Sequence, residues 1–130
     1  MITQQAKATI LIVDDEAGPR EALRFVLNPH YNVYAVGNME VALEVLNKHK
    51  IDLVTLDLKL PGRQGLDLLN EIKREREDLD VIIITGYFGQ ALSEKALEKG
   101  AAAYLMKPFN SADLLNIVDR TLKAKRIVTS

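Results

Sequence analysis

Thr9-Ile10-Leu11-Ile12-Val13-Asp14-Asp15-Glu16 is the stretch that decides the fold. Ile10 to Val13 is continuously aliphatic, with no polar alternation, as in a strand covered on both faces. Such strands belong to parallel sheets lying between two layers of helices. The run then breaks abruptly into three acids, so the carboxyl end of this strand is polar and stands at an edge of the core.

Outward from this segment, further β-rich apolar runs occur at Tyr31–Val36, Leu53–Leu56, Val81–Thr85 and Ala103–Met106. After each run comes a segment with apolar residues at three- and four-residue intervals: Arg20–Leu27, Val41–Lys48, Leu66–Arg76, Ala91–Lys99 and Ala112–Lys123. Strand and helix thus alternate five times. Right-handed crossovers in such a chain give a doubly wound α/β sandwich of three layers, (βα)5, around one parallel sheet. The punctuation agrees, because Pro19 suits a first helical turn, Asn38 and Ser111 are candidate N-caps, and Gly100 follows Lys99 where a helix should stop. Lys123–Arg126 and the polar Thr129–Ser130 end read as a helix running into a tail.

The 130 residues, 48% of them hydrophobic, suit one domain over 1–130 with a core at about 8–125. The 17 basic and 18 acidic residues leave no field of one sign to hold nucleic acid or an anionic membrane. With no cysteine and two histidines, His30 and His49, a metal here would need oxygen ligands. No apolar run approaches the roughly 20 residues that span a bilayer, and Met1 to Lys7 lacks the apolar stretch of a signal peptide, so the cytoplasm is the expected location.

In a parallel sheet all the carboxyl ends gather on one edge, and ligands bind there where the strand order reverses. The predicted strands end in Asp14-Asp15-Glu16, Asp57, Thr85-Gly86 and Lys107-Pro108. Taken singly these are ordinary residues, because an Asp pair commonly caps a helix and a lone Lys is commonly solvated. Together they are the types that phosphoryl transfer to a carboxylate requires. Clustered carboxylates repel unless a cation compensates, and an all-oxygen set favours Mg2+ or Mn2+. Asp57, which follows a buried run, is the expected nucleophile. Lys107 would counter the incoming phosphoryl charge and Thr85 would donate a hydroxyl to it.

Four segments, Ile10-Leu11-Ile12-Val13-Asp14-Asp15-Glu16, Leu56-Asp57-Leu58-Lys59-Leu60-Pro61-Gly62, Ile84-Thr85-Gly86 and Tyr104-Leu105-Met106-Lys107-Pro108-Phe109, appear in the order found in receiver domains of bacterial two-component systems. The chain resembles that family over nearly its whole length. The resemblance implies strand order 2-1-3-4-5, as in flavodoxin-like folds. It implies Asp57 as the phosphorylation site, Asp15 as a direct metal ligand, Asp14 as a ligand through water, and the Lys59 backbone carbonyl as a further ligand. It further implies a switch in which the Thr85 hydroxyl moves toward the phosphoryl group and Tyr104 turns inward, a small Gly86 at the phosphoryl site, and a cis peptide before Pro108. A sensor histidine kinase is the implied donor, with an output domain or protein as target and a homodimer through the helix 4–strand 5–helix 5 face. Tyr87-Phe88 and Ala101–Ala103 are candidates for that partner face or, equally, half-buried loop anchors and close-packed alanines, while Lys73–Glu77 reads as a solvated helix face. Leu60 stands where the family often has methionine. Lys59 and Tyr87 are bulky neighbours of the site expected to slow loss of the phosphoryl group.

Three rivals are weaker on the residues. A phosphatase of the haloacid-dehalogenase type expects an Asp where Lys59 stands. A flavin carrier needs a hydroxyl- and glycine-rich loop in place of Asp14-Asp15-Glu16. A receiver that works without phosphorylation would not need Asp14, Asp15, Asp57, Thr85 and Lys107 all intact. So short a chain either docks alone or is part of a longer regulator.

Overall fold

The computed structural model describes residues 7–60, 63–86 and 90–129. The expected alternation is present: β1 (Thr9–Val13), α1 (Ala17–Leu27), β2 (Asn32–Val36), α2 (Met39–Lys48), β3 (Leu53–Leu56), α3 (Gly65–Glu75), β4 (Asp80–Thr85), α4 (Gln90–Glu98), β5 (Ala103–Met106) and α5 (Ser111–Thr129). All five strands run parallel in the order 2-1-3-4-5, so β1 and β3 lie side by side, with Val13 opposite Leu56. A feature that the strand pattern does not predict, marked in the sequence only by the Pro61-Gly62 turn dipeptide, lies between β3 and α3. There Lys59–Leu60 pairs antiparallel with Arg63–Gln64 in a small separate ladder.

Side chains alternate across the sheet because the strand repeat is two residues. Leu11, Val13, Val54, Leu56, Val81 and Ile83 face the buried residues of α2, α3 and α4. Ile10, Ile12, Leu53, Ile82 and Ile84 face Leu23 and Leu27 of α1 and Leu114, Val118 and Leu122 of α5. The helices therefore form the two outer layers. Thr55 is buried on the α1–α5 side, and its hydroxyl has no hydrogen-bond partner among the described residues.

Asn38 caps α2 by accepting the Val41 amide at 2.9 Å. Ser111 does not cap α5. The preceding Asn110 does so, accepting the Asp113 amide at 2.8 Å, so Ser111 becomes the first helical residue. Gly100 ends α4 at φ +102°, with the Gly100 and Ala101 amides donating to the Leu97 and Ala96 carbonyls. This pair of hydrogen bonds to the last turn needs a residue in the left-handed conformation, which glycine adopts without strain. Ala101 is buried in the α2–α3–α4 core, which favours the close-packing reading for it. Lys73 also departs from expectation, since its ammonium folds back to donate to the Glu77 and Leu79 carbonyls beyond the end of α3. Among the described residues no helix is long and apolar enough to cross a membrane.

Candidate phosphoryl-acceptor site

The β1–α1 connection begins with Asp14, 1% exposed, whose amide extends the ladder by donating to the Val36 carbonyl at 3.1 Å. Its Oδ1 accepts the Glu16 amide at 3.0 Å, a local turn that swings the chain off the strand. Glu16 occupies the N-cap of α1 in extended conformation and makes no side-chain cap bond. The acids of this loop are thus not spent on capping the helix.

Asp57 repeats the same device at the end of β3. It is 3% exposed, its amide donates to the Val13 carbonyl at 3.0 Å, and its Oδ1 accepts the Lys59 amide at 3.0 Å. The start of α3 presses on this segment from behind, where the Gly65 amide donates to the Leu58 carbonyl at 2.8 Å. A Cβ at Gly65 would lie 2.5 Å from the Leu58 Cα and 2.6 Å from the Asp57 carbonyl oxygen, so only glycine allows this approach.

Two further strands supply the polar partners. Thr85, fully buried at the end of β4, donates its hydroxyl to Asp57 Oδ1 at 2.7 Å. The Lys107 amide donates to the Thr85 carbonyl at 2.9 Å, holding the end of β5 in line, and the Lys107–Pro108 peptide is cis. From there the Lys107 ammonium donates to Asp14 Oδ2 at 2.7 Å and to Asp57 Oδ2 at 2.8 Å. Burial works to lower the Lys107 pKa, but the hydrogen bonds and charges of Asp14 and Asp57 outweigh it and hold the value above the ordinary one. Tyr104 on β5 packs partly buried against the α2–α3–α4 core, and that burial, with the negative charge of Asp57, raises its phenol pKa.

Asp14, Asp15, Glu16 and Asp57 each place one carboxylate oxygen within 4.8 Å of the others. One ammonium cannot offset so many negative charges, and Asp15 Oδ1 is buried with no hydrogen-bond partner among the described residues. An orphaned acceptor within an all-oxygen donor set fits a hard divalent cation such as Mg2+. Beside the cluster a cleft of about 200 Å³ is lined by Glu16, Asp57, Lys59, Thr85, Gly86 and Lys107. Nothing lies within 4 Å of where a Gly86 Cβ would be, so that wall is open.

The fold thus brings Asp14, Asp15, Asp57, Thr85 and Lys107 together, with Tyr104 on the flank and the Lys59 side chain exposed at the cleft. Tyr87 and Phe88 lie outside the described residues. Sequence reading overlooked Gly65, whose only signal was a glycine opening an amphipathic helix. It also overlooked Arg20, whose guanidinium donates to the Asp14 carbonyl at 2.9 Å.

A family model described as the response regulator receiver domain matches residues 10–119. The chain belongs to that family. The receiver is 36% identical over 117 residues to the sporulation initiation phosphotransferase F of Bacillus subtilis, covering 89% of this chain and 94% of that protein. It is 38% identical over 115 residues to the response regulator protein FleR of Pseudomonas aeruginosa, covering 87% of this chain but only 24% of FleR. Among solved structures, it superposes on a CheY-like receiver domain protein from Methanospirillum hungatei with a TM-score of 0.88 at 30% identity, covering 93% and 98% of the two chains. This receiver is therefore a signalling domain of response regulators, a class found both nearly alone and as a minor part of larger regulators.

Proposed function

We propose that the chain, acting as one receiver domain over residues 1–130, accepts a phosphoryl group on Asp57 from a sensor histidine kinase or a small phosphodonor. The observation that carries this reading is the Asp57 carboxylate, buried between the Thr85 hydroxyl and the Lys107 ammonium and open to a cleft on its remaining side. One Asp57 oxygen attacks phosphorus, the bond from phosphorus to the donor's nitrogen or oxygen breaks, and an acyl phosphate results. Asp14, Asp15, Asp57 and the Lys59 backbone carbonyl would hold Mg2+ or Mn2+, which when bound offsets the negative charge gathered around the phosphoryl oxygens. Glu16 lies close enough to contribute through water. Lys107 stays protonated throughout, and its ammonium can follow the charge from the carboxylate to the phosphoryl group.

The Thr85 hydroxyl supplies the switch. It donates to a carboxylate oxygen that becomes part of an acyl group and loses its charge on phosphorylation. A phosphoryl oxygen is then the stronger acceptor, so the hydroxyl moves and Tyr104 turns into the space it leaves. The altered α4–β5–α5 face would favour a homodimer or the docking of an output domain or protein, all in the cytoplasm.

Intact mass after incubation with acetyl phosphate, with and without Mg2+, tests the reading. A Mg2+-dependent gain of one phosphoryl group in the wild type, lost in Asp57→Asn, is the expected result. No gain in the wild type with any divalent metal points instead to a receiver that works without phosphorylation.

A further inference from the structure

The buried Oδ1 of Asp15 has no hydrogen-bond partner among the described residues. Its backbone, by contrast, is gripped. The planar Asp14–Asp15 peptide, from which the Asp15 side chain hangs, has its carbonyl bonded to Arg20 Nη1 at 2.9 Å. On the preceding peptide the Asp14 amide is held by the Val36 carbonyl at 3.1 Å. Arg20 is itself fixed in the first turn of α1, where its amide donates to the Glu16 carbonyl at 3.0 Å. The guanidinium therefore closes the β1–α1 loop from the far side.

Gly37, which follows β2, leaves the room for this grip. A Cβ there would lie 3.1 Å from Arg20 Nη1, 4.0 Å from its Cζ and 3.9 Å from the Asp14 carbonyl oxygen. At 3.1 Å the contact is too close to be comfortable, and the guanidinium would have to yield.

We propose that Arg20 is a positioning residue for the divalent-cation site, setting the plane of the Asp14–Asp15 peptide and with it the approach of Asp15, and that Gly37 admits it. The inference rests on the reading of the acid cluster given above. Charge alone would act the other way, since a cation beside a cation site opposes metal binding and its removal would tighten it. The sign of the effect therefore separates positioning from electrostatics.

The test is direct Mn2+ titration of the intact chain, following the free ion by electron paramagnetic resonance, for wild type, Arg20→Gln, Arg20→Lys, Gly37→Ala and the Arg20→Gln, Gly37→Ala double variant. Circular dichroism of the metal-free proteins checks that each is folded. The Mn2+ Kd is expected to rise by about tenfold in Arg20→Gln, at the lower end for residues that orient ligands, and by less in Gly37→Ala, where the guanidinium need give only a few tenths of an ångström. The double variant should be no weaker than Arg20→Gln, and Arg20→Lys should recover part of the loss. Equal or tighter binding in Arg20→Gln overturns the inference, as do losses that multiply in the double variant. Should Gly37→Ala fail to fold, the Arg20→Gln and Arg20→Lys pair still decides. Absence of saturable Mn2+ binding in the wild type would instead overturn the metal-site reading itself.

Discussion

Lys107 lies between two carboxylates that are almost wholly buried, and without it Asp14 and Asp57 would face each other uncompensated. Removing one partner from such a group leaves buried charge behind, which is why the loss exceeds the worth of the pair itself. Lys107→Met is expected to lower the metal-free unfolding free energy by about 3 kcal/mol near neutral pH, measured by urea denaturation. The pH dependence follows from the raised Lys107 pKa. The contribution is fully present below the ordinary value of 10.5 and is lost as pH rises through the higher folded-state value. The gap between wild type and variant should therefore narrow above that pH; a constant gap would count against the ammonium as its source.

At the scale of elements, local hydrogen bonding decides where helices begin and packing decides how closely they approach. Asn110, one residue before α5, captures the Asp113 amide, so Asn110→Ala is expected to cost about 1 kcal/mol and Ser111→Ala appreciably less. Thermal unfolding of the two variants gives the order, and the reverse order would return the cap to Ser111. At α3 the constraint is steric. Gly65→Ala would press a methyl group against the Leu58 backbone and the Asp57 carbonyl, destabilising the protein by about 2 kcal/mol through displaced backbone. Because the displaced segment carries Asp57, the proposed acceptor, phosphorylation by acetyl phosphate should slow as well, unlike in a variant of similar stability loss made elsewhere in the core. Lys73 shows the same competition on α3, where its ammonium satisfies the Glu77 and Leu79 carbonyls rather than extending into solvent.

Over the whole molecule, the parallel sheet converts residues as distant in sequence as Asp14 and Lys107 into neighbours 2.7 Å apart. The same architecture leaves β5 at one edge of the sheet, with Met106 48% exposed on it and Leu97 49% exposed on the adjoining α4. Large apolar side chains this open are candidates for the centre of an interface. If the phosphorylated wild type dimerises through this face as proposed, a Leu97→Glu, Met106→Lys variant is expected to take up the phosphoryl group yet remain monomeric in sedimentation under the same conditions. A variant that still dimerises would move the proposed interface off this face.

The chain's own pattern determined the five strands, the five helices, their order and the residue types at the strand ends. Continuous apolar runs, helical spacing and abrupt polar stops are local properties written in adjacent residues, and β1, β3 and β5 fall at the expected bounds. The ordering of the strands came through likeness to a family, and only the assembled sheet brings β1 and β3 together. What only the tertiary structure decided involves contacts between segments far apart in the chain. Gly65 reads as an ordinary glycine until the Asp57 backbone lies 2.6 Å from its missing Cβ, and Arg20 as an ordinary helix-surface cation until the Asp14 carbonyl and Gly37 make room for it. Ala101 could line a partner face or pack inside, until its amide closes on the Ala96 carbonyl and the residue joins the core. Periodicity reports which face of an element is buried; close approach depends on what the fold places opposite, and no neighbouring residue carries that information.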